Sequence, residues 1–193
     1  MEYILKTAFI QFSIKGYKAV TLSELEQATK LTRGAFYHHF RSKEELFLGV
    51  IEKYLLTSYN SFPHKRTTTL REQINSNIIF LHDKMLELIS IIGTKVPDPY
   101  FLSLILEAKK HFPFLENKIR STFRDQINLW ERTIVNAKDS GEIRNDIDSF
   151  ALAETFTSIG LGIIKNLVLD ENIDYALTKI QNQYNQLYRL IKV

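Results

Sequence analysis

Residues Thr21 to Leu46 read TLSELEQATKLTRGAFYHHFRSKEEL, and the spacing of caps and aromatic residues within them decides the fold. Thr21-Leu22-Ser23-Glu24 is a capping box, in which hydroxyl and carboxylate satisfy the orphan amides of a helix start. The helix it opens ends near Thr29. Thr32 caps a second short helix from Arg33 to about His39. Ser42-Lys43-Glu44-Glu45 is a second capping box, and it opens a longer helix through Leu46, Val50, Tyr54 and Ser58. Helices of two turns are marginal alone, and a chain building only a core would use longer ones. Two short helices joined by a tight turn are what a helix-turn-helix needs, the first bracing the second in a major groove.

Spacing separates the two sides of this unit. Leu22, Leu25 and Ala28 point inward, Leu31 fills the turn, and Phe36 and Phe40 anchor the second helix at i and i+4. Arg33, Gly34, Tyr37 and His38 face outward, with Ala35 at the edge. Arg33 can fork onto guanine O6 and N7, and Ala35 can meet a thymine methyl. Gly34 lets the helix sit close to DNA. Thr32, Tyr37 and Lys43 can hold phosphates, as can the backbone amides behind Thr21 and Ser42 at helix N-termini. His39 is divided between phosphate contact and packing. The other reading of these residues is a solvated face on a purely structural unit.

Outward from this stretch, apolar residues recur at three and four spacing, and 7 Gly and 4 Pro in 193 residues are few. Both predict an all-α chain. A first helix runs from Glu2 to Lys15 with Leu5, Ala8, Phe9 and Phe12 on one face and Gly16 as its stop. The pattern lapses from Asn60 to Thr69, which marks a joint. Long helices follow at Leu70–Ile92, Phe114–Lys138, Ser149 to about Leu169 and Asp174–Ile191, with a shorter one at Tyr100–Lys110. Pro97-Asp98-Pro99, Pro113 and Ser140-Gly141 are the breaks.

Composition narrows the function classes. Without a single Cys, a disulfide scaffold, a zinc finger and thiol catalysis are excluded. The apolar run from Ile159 to Leu169 is cut by Lys165 and is too short to span a bilayer. Nothing at the N-terminus reads as a secretory signal, so a cytoplasmic protein is expected. The formal net charge is only +3, but residues 1–53 carry eight basic against six acidic side chains. That weak bias, helped by His38 and His39, suits DNA without demanding it.

Thr21 to Leu46 closely resembles the signature of the tetracycline-repressor (TetR) family of bacterial transcription regulators. Gly34-Ala35-Phe36-Tyr37-His38-His39-Phe40 followed by Ser42-Lys43-Glu44-Glu45-Leu46 is the most telling piece. Upstream, Ala8-Phe9, Phe12 and Gly16-Tyr17 are similar to the family's first helix. Gly141-Glu142-Ile143-Arg144 leading into Ser149–Ala153 is similar too, less specifically. There are departures: Lys30 stands where the family usually has glycine in the turn, and Glu26 where it has a small residue. The sequence also starts almost at its first helix, without the basic arm some members send into the minor groove, so affinity is expected to rest more heavily on the major-groove helix.

The resemblance implies an N-terminal three-helix DNA-binding domain over residues 1–45 and a helical effector-binding and dimerisation domain over 46–193. Thr21, Thr32, Arg33, Gly34, Ala35, Tyr37, His38, His39 and Lys43 are the expected DNA contacts. A small-molecule pocket is expected, with Phe80, Met85, Phe101, Phe112, Phe123 and Trp130 as candidate lining. Small residues on an apolar face permit close helix approach. Ala153, Phe156, Thr157, Gly160 and Ile164, with Ile180, Tyr184 and Leu187, are the candidate homodimer interface; the other reading is that these two helices only close the core of one chain. The reading is a ligand-responsive repressor on a palindromic operator: the effector favours a rearranged core, swings the helix from Lys43 and moves the recognition helices out of register.

His82, Asp83, Glu107 and His111 can serve a ligand, but no carboxylate–His spacing recurs on paired helices as a metal-binding bundle requires, so no metal or cofactor is expected. One rival is a helical enzyme or cofactor-binding bundle. Against it stand the missing phosphate-binding glycine loop and the lack of any nucleophile–base pair at a recognisable spacing. The other rival is an architectural DNA-binding protein without a sensor. It predicts no ligand-sized cavity and weak sequence preference.

Overall fold

The computed structural model describes residues 1–57, 69–93, 100–170 and 172–193, with 100–103 and 168–170 described by backbone alone. The elements are α1 (Glu2–Lys15), α2 (Leu22–Thr29), α3 (Arg33–His39), α4 (Lys43–Val50), α5 (Leu70–Ile92), α6 (Tyr100–His111), α7 (Leu115–Asp139), α8 (Ser149–Asp170) and α9 (Ile173–Ile191). The chain is all-α, as its periodicity predicts; an isolated bridge between Ile143 and Lys192 is the strand-like pairing among the described residues. Most of the Asn60–Thr69 joint, Ser58 and the Pro97-Asp98-Pro99 turn lie outside those residues. No described helix is long and apolar enough to cross a membrane.

The helix starts follow the chemistry of their caps. Thr21 Oγ1 accepts the Glu24 N–H at 3.2 Å, and the Glu24 carboxylate accepts the Thr21 N–H at 2.7 Å, completing the capping box. The second box closes differently. Ser42 Oγ accepts the Glu45 N–H at 3.1 Å, but the Glu45 carboxylate reaches one residue further back, to the Arg41 N–H at 2.7 Å. One orphan amide is still satisfied at each end of the exchange. Beyond Val50 the fourth helix does not stay α-helical: Ile51–Leu56 is a π-helical stretch burying Ile51, Tyr54, Leu55 and Leu56. Such widened turns leave no periodic mark in a sequence.

Two compact units divide the chain, one of Met1–Asn60 with Leu88–Ile119 and one of Ser61–Glu87 with Arg120–Val193. In the first, α1 packs against α2, α4 and α6. Ile4, Leu5, Ala8, Phe9 and Phe12 of α1 are buried with Leu46, Phe47 and Val50 of α4. Phe9 stacks on Tyr54 at 4.3 Å, and Phe12 meets Phe47 edge-on at 5.2 Å. A Cβ on Gly49 would come within 2.9 Å of Leu5, so glycine there sets how closely α1 and α4 approach. Of the residues expected to face inward, Leu25, Phe36 and Phe40 are buried, while Leu22 and Ala28 are only half-buried. Leu31 does not fill the turn. It is exposed, because Thr29 occupies the buried position before the turn and bonds back to the Glu26 carbonyl.

The second unit is built around a stacked aromatic column. Trp130 lies on Phe156 at 4.8 Å, and Phe156 on Tyr184 at 5.7 Å. The Tyr184 hydroxyl sits 2.8 Å from Asn77 Oδ1 and 3.0 Å from the Phe156 carbonyl oxygen. A phenol has one hydrogen, so both contacts are satisfied when it donates to the carbonyl and the Asn77 side chain turns its NH2 toward it. Burial raises the Tyr184 phenol far above its ordinary pKa, keeping it neutral. Glu142, in the loop after α7, accepts the Leu70 and Arg71 N–H groups at 2.8 and 3.0 Å and so caps α5 from 72 and 71 residues away in sequence.

This packing takes up part of the expected dimer interface within one chain. Ala153, Phe156, Gly160, Ile180 and Tyr184 are already covered within one chain, and Thr157 nearly so, because they clasp α8 against α9. Small residues do bring two helices close here, but the two helices belong to the same chain. Ile164 and Leu187 remain half-exposed, and Phe150, Tyr175 and Leu190 are exposed.

A Cβ on Gly160 would stand 2.8 Å from the Tyr184 hydroxyl. Gly160→Ala is therefore expected to cost about 1–3 kcal/mol, and adding Tyr184→Phe should return part of that loss; thermal melts showing Gly160→Ala as stable as wild type would refute the close approach. The Glu24 carboxyl is held down to about 2, chiefly by the Thr21 N–H and hydroxyl and then by Lys15. Its stabilisation is present above the ordinary carboxyl value and lost as pH falls through the depressed one. The melting-temperature gap between wild type and Glu24→Gln should hold at pH 6 and shrink between about pH 4.5 and 2; a gap independent of pH contradicts the capping role.

Candidate nucleic-acid interface

Three caps aim α3. Thr21 starts α2, Lys30 ends it, and Thr32 starts α3 by accepting the Ala35 N–H at 3.3 Å. Lys30 is left-handed, at φ 54°, where a glycine would sit without strain. The cost of a side chain there is about 1 kcal/mol or slightly more, and the turn keeps its geometry. Behind α3, Phe36 is fully buried and Phe40 nearly so.

In front of α3, Thr32, Arg33, Gly34, Ala35, His38 and His39 are exposed and Tyr37 is half-buried. The Arg33 guanidinium lies 5.6 Å from the Tyr37 ring centre, and that ring meets Phe36 edge-on at 5.9 Å. Tyr37 is thereby braced between the buried anchor and an outward cation. A Cβ on Gly34 would meet nothing within 4 Å, so packing inside the chain does not require glycine. Close approach by an outside surface would. His39 is not packed; it stands exposed with its ring edge-on to His38 at 5.3 Å.

Beside this face, Lys43 opens α4. Its Nζ lies 4.3 Å from the Tyr17 ring centre and donates to the Lys18 carbonyl at 3.5 Å. Desolvation lowers the Lys43 pKa, opposed by the carboxylates of Glu44, Glu24 and Glu107. The Tyr17 hydroxyl donates to Glu44 at 3.2 Å, and burial followed by the Glu44 charge pushes its pKa up to about 12. Thr21 is exposed, but its hydroxyl is engaged with Glu24, which leaves its helix-start amides as the available donors. Tyr17, the aromatic residue directly after the glycine that stops α1, is not among the residues expected to contact DNA.

The expected pocket residues fall in both units. Phe112 belongs to the first, stacked on Phe47 at 5.8 Å and edge-on to Tyr17 at 6.4 Å. In the second, Met85 and Trp130 are buried, and Phe80 and Phe123 half-buried. The Phe101 side chain lies outside the described residues. The buried polar side chains described in the second unit, Gln73, Asn77, Thr122, Thr133, Thr157 and Asn166, are all uncharged. Glu107 pairs with His111 at 3.0 Å and His82 with Asp83 at 3.2 Å, but no three such groups converge among the described residues to hold a metal.

Comparison with known proteins bears on this geometry. The family model described as bacterial regulatory proteins, tetR family, matches residues 4–50. Over 59 residues the chain is 42% identical to the HTH-type transcriptional regulator YerO of Bacillus subtilis, covering 31% of this chain and only 20% of that protein. It is 24% identical over 194 residues to the HTH-type transcriptional repressor AcnR of Corynebacterium efficiens, covering 93% of this chain and 92% of the repressor. Among solved structures, a SmeT–triclosan complex superposes with a TM-score of 0.72 at 20% identity, over 100% of this chain and 91% of that one. The matched segment coincides with α1 to α4, the elements that set α3 on its buried phenylalanines and leave its polar face open, so residues 4–50 are similar to the bacterial regulatory proteins of the tetR family.

Proposed function

We propose that the protein is a transcriptional repressor that binds a palindromic operator as a homodimer and is released by a small-molecule effector. The observation that carries this reading is the two-sidedness of α3, with Phe36 buried behind Arg33, Gly34 and Ala35, all exposed. Residues 1–45 are the DNA-binding module and 46–193 the effector-binding and dimerisation module. Arg33 and Ala35 read base edges, with His38 beside them. Thr32, Tyr37, His39, Lys43 and the amides behind Thr21 hold phosphates. AcnR, alike along nearly its whole length, is named a repressor, which supports the sign of the regulation.

One seven-residue helix specifies few base pairs. Two of them on a twofold axis, about 34–36 Å apart, read a palindrome in successive major grooves. The surface for the second copy is drawn from the parts of α8 and α9 not consumed inside the protomer, with Ile164 and Leu187 beside Phe150, Tyr175 and Leu190. The effector is an uncharged, largely apolar molecule held near Phe80, Met85, Phe123 and Trp130. Neutral buried amides and hydroxyls suit such a ligand and do not suit an ion. That SmeT has been crystallised with triclosan supports an effector of this kind.

Selection of bound duplexes from random DNA should enrich a palindrome, and recovery of no common sequence would sink the operator reading. Against the enriched site, Arg33→Ala should lose about 1–3 kcal/mol of discrimination at one base pair per half-site. Lys43→Ala should instead weaken all sequences alike and lower the salt slope by about 1. Identical behaviour of the two variants would undo the division of roles. Neutral aromatic compounds that raise the melting temperature should also lower operator affinity by about fivefold or more; operator affinity unchanged by every stabilising compound would leave no coupling.

A further inference from the structure

We propose that Tyr17 is a positioning residue for DNA, which presents the Lys43 ammonium to a backbone phosphate. The proposal rests on the DNA-binding reading above and adds a part that the outward face of α3 does not contain. Lys43 is the first residue of α4, where a cation opposes the positive end of the helix dipole. Left to itself, such a side chain would swing into water. Instead its Nζ rests over the Tyr17 ring, 4.3 Å from the centre, and donates to the Lys18 carbonyl. Both partners are neutral acceptors. They orient the ammonium and strip part of its water without cancelling its charge, so a phosphate can join with no ion pair to break.

The ring itself has little freedom. Phe47 lies 4.3 Å from it, His111 5.3 Å and Phe12 5.8 Å, and its hydroxyl is held by Glu44. Tyr17 is buried, so its role in presenting Lys43 is carried by the ring face rather than by direct contact with DNA. Burial lowers the Lys43 pKa, and the carboxylates of Glu44, Glu24 and Glu107 oppose that shift.

The test uses the full chain and random-sequence duplexes in a salt series read by fluorescence anisotropy. Tyr17→Phe keeps the ring face and should bind within about twofold of wild type, whereas Tyr17→Leu should weaken every duplex about three- to tenfold and lower the salt slope toward that of Lys43→Ala. In a Lys43→Ala background, Tyr17→Leu should cost nothing more. Wild-type affinity and slope in folded Tyr17→Leu, or an equal loss with and without Lys43, would overturn the proposal. Should Tyr17→Leu not fold, NMR of the wild-type lysine ε-methylenes decides. The Lys43 signal should stand upfield from ring current and shift when duplex is added; an unshifted signal, or one indifferent to duplex, overturns it. Failure of the DNA-binding reading looks different, with no salt-dependent binding by wild type while the upfield signal remains.

Discussion

Phe36 is the side chain on which the geometry of α2 and α3 depends. It is wholly buried, and Arg33, Gly34 and Ala35 reach solvent within one turn of it. Burying one such ring is worth about 1.5–3 kcal/mol, more than a seven-residue helix can supply from its own hydrogen bonds. The polar face of α3 therefore has no stability of its own. It is displayed because the opposite face is fastened to a core already closed by Leu25, Phe40, Leu46 and Phe47.

Rigidity around that anchor comes from caps and rings. Thr21 with Glu24, Thr32 with the Ala35 amide, and Ser42 with Glu45 fix where three helices begin within 22 residues. The aromatic group of Phe12, Tyr17, Phe47 and Phe112 then ties α1 and α4 to the end of α6. Charge is placed on this frame rather than used to build it. The ion pairs nearby, such as Lys15 with Glu24, are largely exposed and contribute little to stability.

The second unit solves a different problem. Its core includes amides and hydroxyls, which cost free energy unless paired. Tyr184 pairs with Asn77 and the Phe156 carbonyl, and Gly160 leaves the space in which that hydroxyl sits. Glu142 repeats the strategy at a distance, with Tyr188 donating to the carboxylate that caps α5. Residues that look like a generic small-and-apolar stripe are in this way committed to one hydrogen-bonded arrangement.

Local rules made much of the fold legible in the sequence. The starts of α2 and α3 depend on a hydroxyl within three residues, and burial follows 3.6-residue periodicity, so α1 to α3, the bounds of α5 and the exposed set on α3 were all readable. Long-range choices were not. Which apolar face meets which partner, here α8 closing on α9 within one chain, is settled by shape complementarity between residues far apart, which periodicity does not record. The Glu142 cap on α5 and the seating of Lys43 over Tyr17 share that origin: each joins groups with no fixed spacing, and packing alone brings them to within a few ångströms.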